Sequence, residues 1–124
     1  MPDLQHTLEG HDLGFLRMLA GGWGIEAAFP DAASARSALL PAMLDSQLVN
    51  EVTEALPADA AAALQALLDA GGRLPWVQFA RRFGEVQVMG PARRDRERPD
   101  LHPTSPAERL WYLGLLGRAF FNLP

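Results

Sequence analysis

The chain contains no cysteine, and all eleven of its basic residues are arginine, so lysine is missing as well. Without cysteine there are no disulfides, thiolate zinc sites, iron–sulfur clusters or thiol nucleophiles. Without lysine there is neither a phosphate-binding P-loop nor a Schiff-base amine. β-branched residues are scarce too, with five valines and one isoleucine against twenty alanines and twenty leucines. That balance favours helix over strand throughout. Long apolar runs are also lacking. The longest nearly uncharged one, Leu110 to Gly117, falls far short of the ~18–20 residues of a membrane span. Residues 1–12 carry acids and no apolar segment, so the expectation is a cytoplasmic chain with no signal peptide and no membrane partner.

What is present is unevenly charged. Up to Gly72 there are two arginines against ten acids, and from Arg73 onward nine arginines against five acids, within a formal net charge of −4 for the 124 residues. This division suggests a polar contact surface confined to the second half. A chain of this length fits one domain or one domain with a small appendage. The reading is an N-terminal helical segment, residues 1–56, packed on a second domain, residues 57–124.

Helix signals punctuate the chain. Asp12 is a plausible N-cap for a first helix reaching Ala20, with Gly21-Gly22 as its stop and Trp23 packed inward. Ser34 opens a second helix to Leu44, which Pro41 should kink or shorten. Asp45 caps a third, Ser46 to Leu56, with Leu48, Val49, Val52 and Leu56 at spacings of three and four. A fourth spans Ala58 to Ala70, with Leu64, Leu67 and Leu68 as its apolar stripe. The clearest pattern follows Pro75, where Trp76, Phe79, Ala80 and Phe83 form one face and Gln78, Arg81 and Arg82 point away. Val86 to Val88 alternates as a short strand would. Residues 90–105, rich in proline and in alternating Arg and Asp/Glu, read as a loop. Ser105, Pro106 and Glu108 make a capping box for a last helix that runs to about Phe120 and is apolar on nearly every side.

No arrangement of catalytic type emerges. A Gly-x-Ser-x-Gly elbow is absent, no acid pair lies among apolar residues, and His6, His11 and His102 lack the further ligands of a metal site. The expectation is a non-enzymatic protein with no cofactor; a small enzyme using His11 and nearby acids is the rival from another class. Helix, Gly-Gly turn and helix over Leu64–Gly84 look like the opening of a helix-turn-helix or winged-helix unit. Arg73-Leu74 would be its first strand, Pro106–Phe120 its recognition helix, and Arg118–Phe121 the start of its wing. That third helix offers only Arg109 and Arg118 outside its bulky apolar residues, which favours protein contact slightly over base readout. Arg93, Arg94, Arg96 and Arg98, with Arg81 and Arg82, are candidate phosphate contacts. Pairing with the interleaved Asp95, Glu97 and Asp100 is the competing reading of the same run.

Three stretches carry a resemblance: Gly71-Gly-Arg-Leu-Pro-Trp-Val-Gln-Phe-Ala-Arg-Arg-Phe-Gly84, Met89-Gly-Pro-Ala-Arg-Arg-Asp-Arg-Glu-Arg-Pro99 and Ser105-Pro-Ala-Glu-Arg-Leu-Trp-Tyr112. Together they resemble a bacterial winged-helix region of proteins related to the N-terminal accessory part of XPB-type DNA helicases. Composition and helix caps predict a mainly helical fold with a small β element and a winged-helix-like second half. The resemblance implies an accessory role, either DNA-associated or docking a helicase-like partner, with no catalytic residue. A protein-interaction or oligomerisation domain without nucleic-acid binding is the alternative. With the wing cut short at Pro124, Trp111, Leu115, Phe120, Phe121 and Leu123 are expected to support a homodimer.

Overall fold

The computed structural model describes residues 8–26 and 28–116. Among them are seven helices: α1 Leu13–Gly22, α2 Ala32–Met43, α3 Ser46–Glu54, α4 Ala58–Asp69, α5 Trp76–Phe83, α6 Pro91–Glu97 and α7 Pro106–Tyr112. The all-helical expectation is met at this level. The small β element is not seen: among the described residues there is no strand, and residues 73–74 and 86–88 are irregular connections. The chain divides into two compact units, Met1–Ala55 and Leu56–Pro124.

In the first unit an aspartate opens each of α1, α2 and α3. Asp12 Oδ1 accepts from the Phe15 amide at 3.0 Å, Asp31 Oδ1 from Ser34 at 2.8 Å, and Asp45 Oδ1 from Gln47 and Leu48 at 2.9 and 3.2 Å. Each bond satisfies one or two of the four amides that a helix start leaves without a partner. The cap of α2 is therefore Asp31, three residues earlier than Ser34. The carboxylate, sitting at the helix's positive end, replaces the hydroxyl as the better acceptor. Pro41 does not stop α2, which continues to Met43. The core of this unit is apolar: Phe15, Leu16, Met18, Leu19, Ala20 and Trp23 lie against Ala35, Leu39 and Met43, at i, i+4 and i+8 of α2. Trp23 is buried as the sequence suggests.

Three of the described helices end by one device. After α1, the Gly24 amide bonds Gly21 O and the Ile25 amide bonds Ala20 O, with Gly24 at φ +72°. This is a Schellman cap, and Gly24 is its left-handed residue. The stop expected at Gly21-Gly22 thus falls two residues later, because both glycines stay helical. The same pair of bonds closes α4, through Gly71 and Gly72, and α7, through Gly114 and Leu115. Gly114, at φ +70°, ends α7 at Tyr112, so the helix does not reach Phe120.

The second unit gathers α4, α5 and α7 around Phe79, which is 2% exposed. Ala60, Ala63, Ala107, Leu110 and Leu116 are buried with it, and Leu56, Leu64, Leu67, Leu74, Trp76 and Phe83 pack partly buried against them. The small alanines let α4 approach α7 closely. Leu68, expected on the buried stripe, is 58% exposed. The supposed loop 90–105 contains α6. Pro91 takes the first helical position, the following residues are mostly good helix formers, and Arg93 meets Glu97 one turn on. Arg98, in a left-handed conformation at φ +53°, ends it.

Candidate nucleic-acid interface

The candidate contact arginines separate into two groups once their partners are known. In and after α6 they are turned on neighbouring acids. Arg93 Nε donates to Glu97 at 2.6 Å, and Arg94 donates through Nε and a terminal nitrogen to Asp95 at 3.0 and 2.9 Å. Arg98 holds Asp100 with both prongs of its fork, at 2.9 and 2.8 Å. The hydrogen bond from Arg93 holds the Glu97 carboxyl below the usual carboxylate range, and that to Asp100 raises the Arg98 guanidinium further. Arg94 is buried at 8% exposure, a position that suits structure better than a diffusing ligand. Arg96 stays exposed and forms no ion pair among the described residues.

On α5 the arrangement is different. Phe79 is buried and Trp76, Ala80 and Phe83 are half-buried, whereas Val77, Gln78, Arg81 and Arg82 are exposed. Arg81 and Arg82 make no ion pair among the described residues, and the Arg82 guanidinium lies 4.8 Å from the centre of the Phe83 ring. That contact is a cation–π interaction, which holds the guanidinium against the ring. Arg109, the cation of α7, is half-buried.

What positions α5 against α7 is a cluster the sequence shows only in part. Ser105 Oγ accepts the Glu108 amide at 3.0 Å, which is one of the two bonds of a capping box, and also donates to Glu85 O at 2.8 Å. Glu108 is fully buried. Its carboxylate accepts from the Thr104 amide at 3.0 Å and hydroxyl at 3.2 Å, and from the Gln87 amide at 2.8 Å. Gly84, at φ +86°, closes α5 in direct apposition to Ser105. A Cβ there would lie 2.4 Å from Ser105 Cβ. The Ser105 cap is readable from sequence, but the return bond of the expected box goes to the Thr104 amide, one residue before the cap, and the bonds to Glu85 and Gln87, about twenty residues away, are not readable.

Of the residues expected to associate, Trp111 and Leu115 are partly buried in the second unit's own core, and Phe120, Phe121 and Leu123 lie outside the described residues. His11 stacks on Phe15 with ring centroids 3.7 Å apart; His102 is exposed, and His6 lies outside the described residues. The first unit has one further feature, a shallow groove of about 220 Å³ lined by Leu8, Glu9, Ala33, Arg36, Ser37 and Leu40. No helix among the described residues is long and apolar enough to cross a membrane. No protein-family model, characterised protein or solved structure matches this chain.

Proposed function

We propose that the chain is a cytoplasmic, non-catalytic accessory protein whose second unit is a winged-helix-like module that associates with DNA, alone or beside a helicase-like partner. The observation that carries this reading is the mutual packing of α4, α5 and α7 around Phe79. Three short helices on one apolar centre are the minimal frame that sets a helix on the surface of a duplex. The surplus of cation on this unit, nine arginines against seven acids over residues 56–124, supports the same reading. Fluorescence anisotropy with a random-sequence duplex at ~50 mM salt tests it. Binding whose logarithm falls linearly with log salt, by about 0.9 per phosphate contact, is expected. A flat, unbound signal removes the DNA reading.

A second reading, a protein-interaction or oligomerisation domain, has its own support. Leu68, Val77, Val88 and Leu101 are 58%, 61%, 91% and 61% exposed. Light scattering that gives only a 13.5 kDa species at high micromolar concentration excludes the homodimer.

A further inference from the structure

We infer that the helix meeting DNA is α5, through Arg81, Arg82 and Gln78, and that α7 serves as its support. The inference rests on the DNA reading above and specifies the surface. On an α-helix at about 100° per residue, Val77, Arg81, Gln78 and Arg82 follow one another around roughly 140° of the outer side. All four are exposed. The opposite arc carries Phe79 and the half-buried Trp76, Ala80 and Phe83, which fix the rotation of the helix. The outer arc therefore has one orientation, set by the core, with a carboxamide between two guanidiniums and an apolar side chain at its edge.

That is the chemistry a B-form major groove recognises. Arginine forks bind phosphate oxygens or guanine, glutamine matches adenine, and an apolar group meets the thymine methyl. The groove of B-DNA, about 12 Å wide, admits a helix, whereas the major groove of duplex RNA is too narrow for one. Helix α7 offers no comparable face. Ala107, Glu108, Leu110 and Tyr112 are buried and Arg109 is half-buried. Arg93, Arg94 and Arg98 are committed to Glu97, Asp95 and Asp100, so binding through them would first break those pairs, and Arg96 is left as a single exposed cation on α6 without the two guanidiniums and carboxamide of α5. Arg81 and Arg82 have no such pair to break, and the Gly84–Ser105 apposition and the Glu108 carboxylate tie the end of α5 to the start of α7.

The experiment is a variant panel on the full chain, titrated against a 20-base-pair random DNA duplex and a duplex RNA of equal length. The double variant Arg81→Gln/Arg82→Gln should lose at least tenfold in affinity at ~50 mM salt and lower the salt slope by about 2. Its circular dichroism should match the wild type, since both side chains are exposed. Arg93→Gln and Arg109→Gln should stay within about twofold, and duplex RNA should bind more weakly than DNA. If the wild type binds DNA but the double variant keeps its affinity and slope, the α5 assignment is wrong while the DNA reading stands. An equal loss in Arg109→Gln, or equal binding to RNA, also overturns it. A wild type that does not bind DNA at all overturns both.

Discussion

The two units put the same residue types to different use. In Met1–Ala55 three aspartates face helix starts and accept backbone amides, and the core beneath them is purely apolar. In Leu56–Pro124 Asp59 still accepts a helix-start amide, from Ala60 at 2.7 Å, but the other partnered acids face side chains and loops. Asp95, Glu97 and Asp100 hold arginines, and the buried Glu108 gathers a connection and a helix start around one carboxylate. Part of the first unit's negative charge is thus the consequence of capping helices with aspartate. The second unit's modest net charge conceals a segregation: on α6 and at its end Arg93, Arg94 and Arg98 are paired and Arg96 is not, whereas both arginines of α5 are without an ion pair among the described residues. Local partners, more than the count of charges, decide which surface carries a field.

The contrast can be broken at the core first. Phe79→Ala should destabilise the second unit by about 3–5 kcal/mol. Hydrogen exchange resolved by residue should then show lost protection in α4, α5 and α7. Protection lost equally across α1 and α2 would mean the two cores are one cooperative structure.

Glycine substitutions sharpen it next. Gly84→Ala combines a positive φ with a Cβ placed 2.4 Å from Ser105 Cβ, and a loss of roughly 2–4 kcal/mol is expected in denaturant unfolding. Gly21→Ala, within α1 and with nothing within 4 Å of the new Cβ, should instead stabilise by about 0.5 kcal/mol. Equal effects from the two would refute the close approach.

Removing the buried carboxylate is a smaller perturbation. Glu108→Ala leaves the Gln87 and Thr104 amides without their acceptor, at roughly 1–3 kcal/mol. Glu108→Gln keeps one acceptor oxygen and should cost less. If both cost nothing, the carboxylate does not hold residues 85–87 in place.

The smallest effect is an acid response at a single helix start. The Ser34 backbone amide holds the Asp31 carboxyl below its ordinary value. Because the folded value is depressed, the ionised cap favours the folded state. That contribution is present above the unfolded value of about 3.9 and is lost as pH falls through the lower folded one. Amide protection at Ser34 should hold from pH 7 to 5 and fall below about pH 4. In Asp31→Asn, which caps without a titrating group, it should be flat.

Much of this was legible in advance, where the signal lies within one or two helical turns. Asp12, Asp45 and Ser105 as caps and the Phe79 face of α5 need only local spacing. Gly21-Gly22 misled because the sequence names glycines without saying which adopts a positive φ. Residues 91–97 misled because alternating charge suits a loop and an i,i+4-paired helix equally. The site divided in the same manner. Pairing of arginines with the interleaved acids could be read as an alternative from adjacency. The Gly84–Ser105 contact and the reach of Glu108 to Gln87 could not, since they join residues about twenty positions apart.

Ser105 meets Glu85 across 2.8 Å after an excursion of twenty residues, and Gln87 meets Glu108 in the same place. The chain leaves α5 and returns to α7 almost at its point of departure. The intervening stretch is therefore a side branch whose length the three-helix frame does not measure. Doubling such a closed loop adds only about 0.6 kcal/mol of closure entropy. Insertions at the exposed Leu101-His102 corner should lengthen the branch and leave the frame standing. Selection could therefore elaborate the branch into a new surface while α4, α5 and α7 stay unchanged.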